Sequence, residues 1–120
     1  MKLQHIFESV NYFYHVTNKD RVYDIINDEF LKTYKPWNFT DQNVWPDGSI
    51  EKRSYFTETP AIYFAPPEGE PVILRVKSSV APFKRESTGD YYLTKSLHIN
   101  ALEIKIDDEW VSLNDFKNNN

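Results

Sequence analysis

A chain of 120 residues with 40% hydrophobic side chains is long enough for one cored domain, residues 1–120, and too short for two. Its net charge of −4 argues against a general phosphate-backbone binder, which is ordinarily basic, while leaving a local basic patch open. The absence of cysteine excludes a disulfide framework, a thiolate nucleophile and a cysteine-based zinc site.

Met1–Ser9 has weak periodicity and reads as a lead-in turn or short helix. Asn11–Val16 is dense in aromatic and β-branched residues and is expected to be the first strand. Its alternation sets Asn11, Phe13 and His15 on the core face, with Tyr12, Tyr14 and Val16 opposite. Thr17, with Asp20 three residues on, is the expected N-cap of a helix. Val22, Ile25, Ile26 and Phe30 mark its apolar stripe, which runs out near Leu31.

Lys32–Gly48 lacks a clean period and reads as a long irregular loop in which Trp37 and Trp45 either anchor the chain or touch a ligand. Strands are expected at Ile50–Phe56 and, after a Thr57–Pro60 turn, at Ala61–Ala65. Pro66–Glu70 is a tight connection into Pro71–Lys77, the strongest strand signal in the chain. Ser78–Gly89 reads as a polar loop with Lys84-Arg85-Glu86 solvated, and Asp90–Thr94 as another strand. Leu102–Ile106 alternates strictly, which turns Glu103 and Lys105 to water. Asp107-Asp108 leads into Glu109–Leu113, a closing hairpin, and Lys117–Asn120 is a frayed end. Six or seven strands, one main helix and no βαβ alternation predict an α+β fold of antiparallel sheets.

Aromatic residues make up 16% of the chain, a load at which some rings are expected to line a site. The three histidines, His5, His15 and His98, are too scattered for a local metal motif, so no metal is expected. No apolar leader or bilayer-spanning stretch is evident, which predicts a cytoplasmic protein without a membrane partner.

Three separated pieces carry the functional reading: Tyr14-His15-Val16-Thr17, Ile62-Tyr63-Phe64-Ala65, and Gly89-Asp90-Tyr91-Tyr92-Leu93-Thr94-Lys95. Singly, His15 also reads as a core histidine, Tyr63 as core packing and Asp90 as a turn residue. As an ordered set they resemble the ADP-ribosyltransferase superfamily, in its diphtheria-toxin-like and poly(ADP-ribose)-polymerase-like branch. There a strand with His-Gly-Ser/Thr enters a helix, an "IYFA" element carries a ring-stacking tyrosine, and a last strand carries the catalytic glutamate.

The resemblance spans roughly Tyr12 to Ile106. It implies a compact fold of two small antiparallel sheets around a cleft, with NAD as co-substrate. His15, Tyr63 and Asp90 take the catalytic positions, with Tyr14 and Thr17 beside the histidine. Phe56, seven residues before Tyr63, and its neighbour Tyr55 supply the opposite wall for nicotinamide. Two features depart from the family pattern. Asp90 is one methylene shorter than the expected glutamate, which bears on transfer efficiency. Pro66–Glu70 leaves no room for the helix that usually follows "YFA", which implies a minimal version of the fold.

The chemistry asks for these residue types. Cleaving the N-glycosidic bond of NAD builds positive charge on the ribose, which a carboxylate such as Asp90 stabilises. His15 is expected to donate to a ribose hydroxyl and Tyr63 to stack on nicotinamide. Arg53, ahead of Arg75, is the candidate for the diphosphate. The implied activity is mono-ADP-ribosyl transfer to a protein, or to a nucleic acid, by a toxin-like or phage-encoded effector. The alternatives are an impaired module that binds NAD or an ADP-ribose-like nucleotide, an NAD-degrading enzyme, or an RNA 2′-phosphotransferase relative.

Overall fold

The computed structural model describes residues 11–36, 44–60 and 69–119. The Ala61–Ala65 strand, Tyr63, Trp37 and the Met1–Ser9 lead-in lie outside the described residues. The described chain is an α+β arrangement of antiparallel sheets with two helices.

The largest sheet has four strands in the order β1 (Tyr12–Asn18), β4 (Pro71–Lys77), β8 (Leu102–Ile106) and β9 (Glu109–Ser112). Registers such as His15 opposite Leu74 and Leu74 opposite Ile104 set the inward side chains in rows across it. A second sheet orders β3 (Ser54–Phe56), β6 (Tyr91–Leu93) and β5 (Lys84–Arg85). A small ladder pairs β2 (Phe30–Leu31) with β7 (Leu97–His98). The core joins Leu74, Val76, Leu102 and Ile104 of the large sheet to Phe56 and Leu93 of the second, under Val22, Ile25 and Ile26 of helix α1 (Lys19–Asp28).

Alternation along β1 separates two faces as expected. Phe13 stacks on Tyr91 and His15 packs against Phe56 on the inner side, while Tyr12 covers Arg75 and Tyr14 lies near Trp110 on the outer one. The strand runs past Val16, so Asn18, not Thr17, caps α1: its Oδ1 accepts from the Arg21 N–H at 2.9 Å. The helix stops at Asp28 because Glu29 turns left-handed at φ 65°, and Phe30 and Leu31 then extend as β2.

Other boundaries shift where tertiary pairing overrides local pattern. Of Ile50–Phe56 only Ser54–Phe56 is ladder, with Arg53 in an isolated bridge to Tyr34. The loop expected over Ser78–Gly89 contains β5, which pairs with Tyr91 and Tyr92. Glu103 does not face water freely: it bonds the Arg75 Nε at 2.8 Å. Of the Lys117–Asn120 end expected to fray, Lys117 and Asn118 complete helix α2 (Leu113–Asn118), which is capped by Ser112 and tied to the C-cap of α1 by a 2.7 Å bond from Lys117 to Glu29. Among the described residues, no helix is long and apolar enough to cross a membrane.

Candidate functional site

A cavity of about 740 Å³ opens between β1, α1, β3 and the β5–β6 turn. Its size is that of a small-molecule site. His15, Thr17, Arg53, Tyr55 and Asp90, drawn from three distant stretches of sequence, all line it. The backbone explains why they meet. β1 and β3 are bridged where the Tyr14 and Thr57 amides exchange 2.8 Å bonds, which places the inner face of β1 across from Tyr55. β6 pairs with β3, so the turn that precedes β6 carries Asp90 to the same wall.

His15 is held at one nitrogen: Nδ1 lies 2.8 Å from the Tyr55 carbonyl oxygen. A carbonyl only accepts, so Nδ1 carries the proton. Burial lowers the imidazole pKa against the pull of that carbonyl, and the Arg21 charge lowers it further. The ring is therefore neutral at neutral pH, and Nε2 is left as its acceptor nitrogen. This reverses the expected polarity, because in this tautomer Nε2 is a hydrogen-bond acceptor and not a donor.

Arg53 is buried and fully employed. Its guanidinium meets Asp47 at 2.9 Å, Glu51 at 2.7 Å, Glu86 at 2.8 Å and the Tyr55 hydroxyl at 3.1 Å, and lies 3.9 Å from the Tyr92 ring centroid. Burial works against its charge, but these acceptors outweigh it and raise the pKa. The same pairing, together with the Ser49 backbone amide, pulls exposed Asp47 down to about 2. An arginine already shared by three carboxylates has no fork to offer a diphosphate. Arg53 is the brace of the cavity wall, not its anion ligand. Arg75 is on the far face of the large sheet, between the rings of Tyr12 and Trp110 at 3.8 and 4.1 Å.

Glu86 was expected in a solvated loop, yet it is 6% exposed. It accepts from Arg53, from the Tyr55 hydroxyl and, at 2.9 Å, from the Thr88 hydroxyl. Burial pushes the Tyr55 phenol up, and the Glu86 carboxylate adds to that. Asp90 differs. Among the described residues no hydrogen bond engages its carboxyl, and burial, then the charge of Glu86, raises its pKa. The β5–β6 turn thus presents one spent carboxylate, Glu86, and one available one, Asp90.

Two expected contacts fall elsewhere. Phe56 is 1% exposed, wedged between His15 and Phe83, so it backs the imidazole and does not face the cavity. Tyr14 points to the outer face near Trp110. Trp45 lines the cavity instead, edge-on to Tyr55 at 4.9 Å with its indole N–H donating to the Glu51 carbonyl. Arg21, Asp24 and Ser54 also line the cavity and carry no motif that a sequence reading would isolate. Tyr63, the third residue of the expected constellation, lies outside the described residues.

No protein family, curated protein or solved structure matches this chain.

Proposed function

We propose that the cavity binds NAD and cleaves its nicotinamide–ribose bond, transferring ADP-ribose to a cellular macromolecule. The observation that supports this reading is the shared lining of His15, Thr17, Tyr55 and Asp90, which are far apart along the chain. In the proposed step the C–N bond breaks and its electron pair leaves with nicotinamide, which becomes neutral. Positive charge remains on the ribose, where Asp90 stabilises it. The acceptor's lone pair forms the new bond to the anomeric carbon, and its proton passes to the Asp90 carboxylate. The raised Asp90 pKa moves the carboxylate toward the range of a useful base. His15 Nε2 fixes the sugar by accepting from a hydroxyl. Tyr63 is the proposed stacking partner of nicotinamide, with Tyr55 and Trp45 on the cavity wall.

The partner is a protein target, with a nucleic acid as the other possible acceptor class. A 2′-phosphotransferase is less well supported, since of the arginines lining the cavity Arg53 is committed to carboxylates. Incubation with adenine-labelled NAD and lysate sorts the alternatives. Nicotinamide release with labelled macromolecules is expected. Release without label means a hydrolase, and binding without release means a nucleotide-binding module. Asp90→Asn is expected to reduce release at least about a hundredfold, the scale of a lost charge-stabilising group. Asp90→Glu is expected to raise it.

A further inference from the structure

Two features of the cavity wall take no part in the proposed cleavage: an arginine with no ion pair and a buried hydroxyl with no hydrogen-bond partner among the described residues. Arg21 sits in the first turn of α1 and is exposed where it lines the cavity. Among the described residues it forms no ion pair, and its charge is felt at His15. Its backbone N–H is spent on Asn18 and that of Lys19 on the Glu70 carbonyl, so the group Arg21 has left to bind with is its side chain.

Ser54 is 4% exposed, and its Oγ has no hydrogen-bond partner among the described residues. A buried unpaired hydroxyl is rare and costly, and one that lines a cavity is placed to donate to a ligand's acceptor. Thr17 adds a second hydroxyl. Extending the antiparallel register from Tyr14 and Thr57 would set Thr17 opposite Ser54, but no backbone hydrogen bond among the described residues joins the strands there. Both residues instead line the cavity.

The chemistry of this group is specific. A guanidinium and two hydroxyls on three different elements need an anion with several oxygens pointing apart, which a tetrahedral phosphate has and a planar carboxylate lacks. Acceptors stand in the same lining: His15 Nε2, and Asp24 one turn along the helix from Arg21. They repel a second anion but suit hydroxyls. We propose that Arg21, Ser54 and Thr17 form a phosphate subsite, with His15 and Asp24 taking sugar hydroxyls, so that the cavity selects phosphorylated ribosides over unphosphorylated ones. This deepens the NAD reading and rests on it for the identity of the riboside.

Isothermal titration with ADP-ribose, NAD and nicotinamide riboside tests it. The wild type is expected to bind ADP-ribose and NAD about 10- to 100-fold more tightly than the unphosphorylated riboside, the span of one or two charge-assisted hydrogen bonds. Arg21→Gln, at an exposed position, is expected to close that gap, and Arg21→Lys to keep part of it. Ser54→Ala is expected to weaken ADP-ribose binding while raising the melting temperature of the free protein. Equal affinity for the two ligand classes overturns the subsite, as does no ADP-ribose binding, or ADP-ribose affinity unchanged in Arg21→Gln. Arg21-dependent ADP-ribose binding without nicotinamide release supports the subsite and removes only the transferase. Nicotinamide release with an unchanged KM in Arg21→Gln supports the transferase and removes the subsite.

Discussion

At the scale of single residues, His15 and Asp90 are set apart by what their surroundings do to their protons. His15 is neutral because burial disfavours the imidazolium, so the unfolded chain binds more protons below the ordinary value of 6.5. Stability should therefore fall as pH drops from about 6.5 toward the lowered folded pKa. Urea midpoints across that window are expected to lose this slope in His15→Gln. Asp90 has the opposite sign. Its folded pKa lies above the ordinary 3.8, so its ionisation costs stability as pH rises through that higher value. In the proposed cleavage the same titration would supply the carboxylate, and nicotinamide release should then show an acid limb with its inflection above 3.8.

At the scale of elements, the β3 strand and the β5–β6 turn are fastened to each other by Arg53. Replacing Arg53 with methionine strands Glu86 in a buried place without its cation, and is expected to cost about 3–5 kcal/mol by urea denaturation. Adding Glu86→Gln to that variant removes the orphaned charge and should recover part of the loss. The α1 start makes a smaller demand. Asn18→Ala removes the cap that Oδ1 provides to Arg21 N–H, an expected loss of about 1 kcal/mol. The Asn18 side chain also lies under Gly69, where φ is +86° and a Cβ, were one added, would come within 3.3 Å of Asn18 Cβ, so a side chain there would be strained.

At the scale of the molecule, local pattern and long-range pairing contributed unequally to what the sequence could reveal. Pro71–Lys77 and Leu102–Ile106 were legible to the residue because their apolar runs and alternation match their places in the largest sheet. β5 and β2 were not, since two-residue ladders exist only by virtue of partners distant in sequence. His15, Thr17 and Asp90 could be named from motif order. Glu86 could not, because its burial comes from Arg53, 33 residues away, and nothing beside it in the chain is apolar enough to announce that. The Ser54 hydroxyl is likewise invisible until the strands are placed. What joins these scales is the claim that the ribose of NAD sits between His15 and Asp90. A crystal structure with an NAD analogue whose scissile C–N bond is replaced by C–C tests it directly. The account predicts the nicotinamide ribose within hydrogen-bond reach of His15 Nε2 and beside the Asp90 carboxyl. A ligand bound away from both residues, or none in the cavity at saturating analogue, would contradict it.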